Sequence, residues 1–146
     1  MQCAVDGTGG ASFALHFLHG WDLALEWIDS KKENLAACGW ATLGSLVAIT
    51  GDAELDLAGL KQLLGRVRKT MKSQPDRVRY VMNHFLISVG SYVQPLTELA
   101  LQTAAEIGPV TADMGNAACK VPDAAAYILK VRKRGAIGKK RKTAKC

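Results

Sequence analysis

Apolar side chains recur every three or four residues through most of this chain of 146 residues, which is the spacing of one face of an α-helix. The clearest case is the series Leu57, Leu60, Leu64, Val67 and Met71. No segment alternates apolar and polar residues as a half-buried strand does. Aromatic residues are sparse, at 6%, and alanine is frequent, a mix that favours helices over a sandwich or barrel. The sequence therefore predicts an all-α protein.

Polar and turn-forming residues divide the periodic pattern into separate helices. Ser30 and Glu33 have the spacing of a capping box, which predicts that a helix opens there. Gly90 and Pro95 bound a predicted turn, and Gly108 is expected to end the helix that follows. The predicted helices cover residues 14–28, 30–50, 57–71, 75–89, 96–107 and 124–134.

The helices group into pairs that repeat along the chain. The pair over residues 14–50 is followed by a pair over residues 57–90, an offset of about 40 residues. Such an offset indicates a solenoid of antiparallel helix pairs, although the pattern also allows a compact bundle. We expect a helical-repeat domain over residues 1–135 and a basic, flexible tail over residues 136–146 that takes no part in the core.

Positive charge is concentrated at one end of the chain. The formal net charge is +6, but residues 130–146 hold nine Lys and Arg and no acid, whereas the remainder holds ten against thirteen Asp and Glu. Unopposed charge of this density predicts contact with nucleic acid or with an acidic protein. The candidate residues of this segment are Lys130, Arg132, Lys133, Arg134, Lys139, Lys140, Arg141 and Lys142.

A second basic set follows helical spacing in the middle of the chain. Lys61, Arg68 and Lys72 form a stripe on one predicted helix, and Arg77 and Arg79 extend it at the start of the next. The stripe is either a solvated helix face or a row of phosphate contacts.

His84 belongs to a polar and aromatic group within an otherwise apolar helix. Tyr80 and Asn83 are its companions in the pattern. Such a group is either a set of hydrogen-bonded core residues or part of a nucleic-acid surface.

No metal or cofactor is expected. His16 and His19 lie one helical turn apart with Glu26 nearby, but no further ligand has a convincing spacing. The four cysteines are scattered without a CxxC motif, which fits a reduced cytoplasmic protein, and the first residues lack the features of a signal peptide. Two uncharged stretches, residues 34–51 and 81–97, contain polar interruptions and are interpreted as buried helices.

Four segments carry a resemblance to a known family. They are E-W-I-D-S at residues 26–30, R-V-R-Y-V-M-N-H-F-L-I-S-V-G at 77–90, C-K-V-P-D-A-A-A-Y-I at 119–128 and the ending G-K-K-R-K at 138–142. Together they resemble the DNA alkylation repair family, the AlkD-like HEAT-repeat DNA glycosylases. The resemblance implies a HEAT-like, armadillo-type α-α superhelix, of which this chain corresponds to the C-terminal portion.

The resemblance also implies a function. Members of the family bind alkylated duplex DNA on the concave face of the superhelix. Active members excise positively charged methylated purines with the help of a carboxylate and aromatic residues. In the family, an arginine on the concave face and a later tryptophan of active members belong to this site. When the motifs are aligned, Ala37 stands at the position of the arginine and His84 at that of the tryptophan. Asp6 is the nearest candidate for the catalytic carboxylate. We therefore expect DNA binding to persist and excision to be weak or absent. The alternative is a non-catalytic helical-repeat module for nucleic acid or an acidic protein.

Overall fold

A computed structural model describes residues 10–115 and 120–144 of the chain, and the side chains from residue 19 onward. Within these ranges the regular structure consists of six α-helices and three short 3-10 turns. No strand occurs within these ranges, which confirms the all-α prediction. The helices are α1 Gly10–Trp27, α2 Glu33–Ile49, α3 Leu57–Thr70, α4 Asp76–Tyr92, α5 Thr97–Ile107 and α6 Ala124–Lys133. The 3-10 turns are Asp52–Glu54, Met71–Ser73 and Gln94–Leu96.

The start of α2 differs from the predicted capping box. The helix begins at Glu33 with Lys32 as its N-cap, and no side chain caps it. The Ser30 hydroxyl instead accepts a hydrogen bond from the backbone N–H of Lys32, at 3.1 Å. The capping-box prediction is wrong because Ser30 uses its oxygen to form a turn before the helix rather than to cap the helix itself.

The predicted turn from Gly90 to Pro95 starts later than expected, because α4 continues to Tyr92 and the chain turns at Val93 and the 3-10 turn Gln94–Leu96. Gly90 is buried inside the helix where α5 and α6 approach it. A Cβ atom at this position would lie 2.9 Å from Cγ1 of Ile128 and 3.1 Å from Cβ of Ala100. The glycine therefore serves close helix packing and not a break in the chain. Gly108, by contrast, ends α5 with φ of +73°, as predicted.

The helices form two layers. In one layer α2 packs beside α4, and α4 packs beside α6; in the other layer α3 packs beside α5. The helix α1 packs on α2, and α5 bridges the layers by contacting both α4 and α6. No described helix is long and apolar enough to cross a membrane.

The core is densest between α2 and α4. Trp40 and Phe85 are almost fully buried there and meet edge to face, with ring centroids 5.2 Å apart. The predicted inner stripe of α4, Val78, Met82, Phe85 and Val89, is buried throughout. Apolar burial of this kind is the main source of stability in a domain of this size.

The two central helices run in the same direction. Arg77 of α4 hydrogen-bonds Asn34 near the start of α2, whereas Ser88 of α4 lies against Gly44 further along α2. Both helices therefore end on the same side of the molecule, at Ile49 and Tyr92.

The C-terminal segment, residues 136–144, crosses these two helix ends. The N–H of Gly138 donates to the carbonyl of Ser91 at 2.9 Å, and the N–H of Arg141 donates to that of Ala48 at 2.8 Å. Lys140 donates from Nζ to the carbonyl of Val47 at 3.2 Å and pairs with Asp52 at 2.8 Å. The final carbonyls of a helix lack hydrogen-bond partners within the helix and carry partial negative charge. A basic segment supplies these carbonyls with hydrogen-bond donors and with positive charge.

These contacts contradict the expectation that the segment takes no part in the folded body. Ile137 also packs against the core. Removing residues 136–146 would therefore remove backbone hydrogen bonds and an ion pair. Thermal stability is expected to decrease, whereas a tail outside the core, as the sequence predicts, would leave it unchanged.

Two glycines in helix interiors provide a matched test of this packing. We expect Gly90→Ala to lower the free energy of unfolding by about 1–3 kcal/mol, because the added methyl group overpacks the contact with Ile128. Gly65→Ala lies in α3 with nothing within 4 Å of its Cβ position, and we expect it to raise that free energy by about 0.5–1 kcal/mol. Urea denaturation of the two variants measures both values. Equal effects of the two substitutions would contradict the close approach of α6 to α4.

Candidate nucleic-acid interface

An open groove of about 540 Å³ lies over the layer formed by α2, α4 and α6. The C-terminal segment contributes to its lining through Arg141. Aromatic side chains come from α4 and α6, and small residues come from α2. The lining residues are Ala41, Gly44, Ser45, Ala48, Tyr80, Val81, His84, Phe85, Ile87, Ser88, Tyr92, Tyr127 and Arg141.

A stripe on α4 supplies most of the polar and aromatic surface. Tyr80, His84, Ser88 and Tyr92 are spaced four residues apart, so the helix places them on one face over about 18 Å. The Tyr80 and His84 rings meet edge to face with centroids 4.6 Å apart. These four residues form one continuous side of the groove.

The Asn83 side chain has a different role from its neighbour. It is 1% exposed, and its Nδ2 donates to the carbonyl of Pro122 at 2.9 Å. Asn83 therefore ties α4 to the residues before α6, while His84 lines the groove. The two possibilities left open by the sequence apply to different members of the same group.

The floor of the groove comes from α2. Ala41, Gly44, Ser45 and Ala48 follow helical spacing and are all small. A Cβ at Gly44 would lie 3.5 Å from Oγ of Ser88 and 3.6 Å from Cα of Phe85, so the two helix backbones are close here. Small side chains on α2 leave the space between the aromatic residues open.

Arg141 borders the groove at the carboxyl ends of α2 and α4. Its guanidinium carbon lies 5.4 Å from the centroid of the Tyr92 ring, a cation–π distance. Its backbone is fixed by the hydrogen bond to Ala48. Among the described residues it has no carboxylate partner, so its charge is available to a ligand.

Tyr127 lines the groove from α6. Its side chain is 46% exposed, and no ring within the described ranges pairs with it. Leu129 on the same helix is similarly exposed, at 49%, but does not line the groove.

Two of the predicted DNA-binding arginines lie at the amino-terminal end of α4. Arg77 is exposed and donates from NH1 to Oδ1 of Asn34 at 2.9 Å. Arg79 is partly buried and forms an ion pair with Asp76, whose pKa this hydrogen bond lowers. Of the two, Arg77 has the greater exposure for an outside contact.

The basic stripe on α3 lies away from this groove. Lys61, Arg68 and Lys72 are exposed on the layer formed by α3 and α5, and no residue of α3 lines the groove. Arg68 donates to Glu106 of α5 at 2.9 Å, which holds the pKa of that carboxyl below its usual value. The structure therefore does not bring this stripe together with His84.

The predicted cations near the C-terminus divide into paired and unpaired groups. Arg132 pairs with Glu98, and Lys140 pairs with Asp52. The others are exposed and make no ion pair with the described residues; they are Lys130, Lys133, Arg134, Lys139, Arg141 and Lys142.

The candidates implied by the family resemblance are only partly visible. Asp6 lies outside the described residues. The side chain of His16, which the sequence offers only as a possible metal ligand and not through the resemblance, also lies outside them. Ala37 is 6% exposed in the core of α2 and does not line the groove. No cluster of three metal-ligating side chains occurs within the described ranges.

Sequence reasoning missed Tyr92 and Tyr127 as site residues. The four-residue spacing from Tyr80 to Tyr92 was a visible signal for the first. Tyr127 has no comparable signal, because its place in the groove depends on how α6 packs against α4.

Partial burial in the groove lowers the pKa of His84 below its usual value of 6.5. The imidazole is therefore neutral at pH 7, and the groove contains a hydrogen-bonding ring there rather than a fixed charge.

The chain is similar to several known proteins, although no model of a protein family matches it. It is 37% identical over 111 residues to an uncharacterized protein of Listeria monocytogenes and 36% identical over 111 residues to one of Listeria innocua. Each match covers 76% of this chain and 46% of the relative, so the chain spans about half the length of these curated relatives.

A solved structure extends the similarity to the fold. It is described as belonging to a new family of proteins related to the HEAT-like repeat DNA glycosylases with affinity for branched DNA structures. It superposes with a TM-score of 0.79 at 29% identity, covering 91% of this chain and 58% of that chain. The chain thus has the HEAT-like repeat fold that the sequence resemblance implies.

The lowered pKa of His84 has a measurable consequence for stability. The unfolded chain binds a proton at His84 more readily than the folded chain, so the free energy of unfolding is expected to fall as pH decreases below about 6.5. His84→Gln should lose this part of the pH dependence. An NMR titration of the imidazole protons measures the pKa directly, and a value above 6.5 would contradict the burial of this ring.

Proposed function

We propose that this chain binds DNA through the groove and the unpaired cations beside it, and that it prefers DNA in which strands diverge over regular duplex. The observation that carries the proposal is the groove itself, where aromatic rings lie next to Arg141. The affinity for branched DNA stated for the structurally similar family supports it.

The charges suit a partner with a phosphate backbone. Outside residues 130–146 the chain carries more acids than bases, so a general attraction to polyanions is not expected from the body. Positive charge is instead presented at the groove by Arg141, and the exposed Lys139 and Lys142 lie close to it in the chain. Phosphate contacts from such residues supply sequence-independent affinity.

Base excision is a further possibility that the family resemblance raises, together with a role in alkylation repair on duplex DNA. Excision of a cationic purine needs a carboxylate close to the developing positive charge of the sugar. No Asp or Glu lines the groove among the described residues. We therefore propose binding without efficient excision as the function of this chain.

The binding surface is tested by comparing substitutions of lysines in the C-terminal segment with substitutions of lysines in and just after α3. We expect Lys139→Gln with Lys142→Gln to weaken binding to a four-way DNA junction and to flatten the slope of log K against log salt by about 0.9 for each phosphate that is no longer neutralised. Lys61→Gln with Lys72→Gln is the matched control, since it removes the same charge from α3 and the 3-10 turn that follows it. Fluorescence anisotropy at several salt concentrations measures both slopes.

Three results would contradict this proposal. One is an equal decrease in affinity from both double substitutions, and another is affinity that does not respond to salt. The third is a junction that binds no better than linear duplex of the same composition. Absence of DNA binding at low salt would favour the alternative of an acidic protein partner.

Excision is tested separately with DNA that carries methylated purines. We expect release of free base close to the uncatalysed rate, because no carboxylate lines the groove among the described residues, while binding to the same DNA persists. Chromatography of released bases measures it. Robust release that Asp6→Asn abolishes would instead identify Asp6 as the catalytic carboxylate, and release that survives this substitution would exclude Asp6 from the role.

A further inference from the structure

We infer that the groove holds an unpaired nucleotide of a DNA strand, with its base stacked on tyrosine rings and its phosphate near Arg141. The inference rests on the proposed function, and it names the part of the DNA that enters the site.

The size of the groove suits one nucleotide. Its volume of about 540 Å³ is within the range of about 300–1,000 Å³ of pockets that enclose a single small organic ligand. The small residues of α2 form the floor, so the space between the walls is not filled by side chains of the protein.

The walls have the chemistry of a stacking site. Tyr92 and Tyr127 contribute rings from two different helices, and the His84 ring is uncharged at neutral pH because its pKa is lowered. Aromatic rings bind the faces of nucleobases with little sequence preference, since every base has a π-face. A base inside a regular duplex has both faces covered by its neighbours, whereas a base at a branch point is free to stack on protein.

Arg141 supplies the complementary group for the backbone of that nucleotide. The guanidinium lies over Tyr92 without a carboxylate partner among the described residues. It can therefore bind a phosphate oxygen while the adjacent ring contacts the base. The contacts of Lys140 with Val47 and Asp52 fix the neighbouring backbone, so Arg141 is held at the groove before DNA binds.

Tyr127 is the residue that packing explains least. Nearly half of its side chain is exposed although it lines the groove, and none of the described rings pairs with it. A stacked base would cover this ring. Leu129, exposed to a similar extent outside the groove, would stay uncovered and serves as its control.

Removal of the base without removal of its phosphate tests this inference. Two three-way junctions are compared, one with two unpaired thymidines at the branch and one with two abasic sites at the same positions. We expect the wild-type chain to bind the thymidine junction at least about fivefold more tightly, as expected for loss of one stacked base. Tyr127→Leu should bring the ratio close to one, and Leu129→Ala should leave it unchanged. Circular dichroism confirms that both variants remain helical.

The outcomes separate the inference from the proposed function. Equal affinity of the wild-type chain for the two junctions would overturn the stacked nucleotide and leave DNA binding intact. Failure to bind any junction or duplex would overturn both. Binding of free thymidine monophosphate as tightly as the thymidine junction would show a site for free nucleotides and would also overturn the inference.

A photochemical experiment locates the base. With 5-bromouracil at the unpaired positions, irradiation should cross-link the DNA to peptides that contain Tyr92 or Tyr127, as read by mass spectrometry. Cross-links confined to α3 would contradict the inference.

Discussion

The close approach of α2 to α4 determines most of what this structure can do. Gly44 of α2 lies opposite Phe85 and Ser88 of α4, and the Trp40–Phe85 contact between the two helices buries the largest apolar side chains. Because α4 is buried on the core side by Met82 and Phe85, its Tyr80–Tyr92 stripe faces outward over the small residues of α2. One side of the α2–α4 pair therefore packs the core, and its other side forms the open groove.

The same pairing explains where the positive charge is held. Since α2 and α4 run in parallel, their carboxyl ends lie together, and their last carbonyls need donors. The C-terminal segment supplies them through the N–H groups of Gly138 and Arg141 and through the ammonium group of Lys140. Each such hydrogen bond contributes about 1 kcal/mol, and the cation gains a further fraction from the helix dipoles. A segment that the sequence presents as a tail thus positions one arginine at the groove and leaves Lys139 and Lys142 exposed.

The parts of the fold that sequence could predict are those set by local periodicity. The stripe from Leu57 to Met71 and the inner face of α4 follow directly from helical spacing, and the structure buries them largely as expected. Gly90 was misinterpreted because a glycine that ends a helix and one that admits a neighbouring helix look alike until Ile128 is placed. The α3 basic stripe shows a related limit: spacing assigns residues to a helix face, but not that face to a layer. Docking of the C-terminal segment has little sequence signal, since most of its hydrogen-bond partners are backbone carbonyls, which every residue carries.

Binding and catalysis place different demands on such a groove. Binding needs cations and flat apolar rings, and both are present in Arg141, Tyr92 and Tyr127. Stabilising a positively charged sugar needs a carboxylate within a few ångströms, and such a group would also repel the DNA backbone. A groove whose described lining contains no acid avoids that repulsion. In the proposed role the groove holds a nucleotide without breaking its glycosidic bond, and its selectivity would come from which nucleotides are free to leave the duplex.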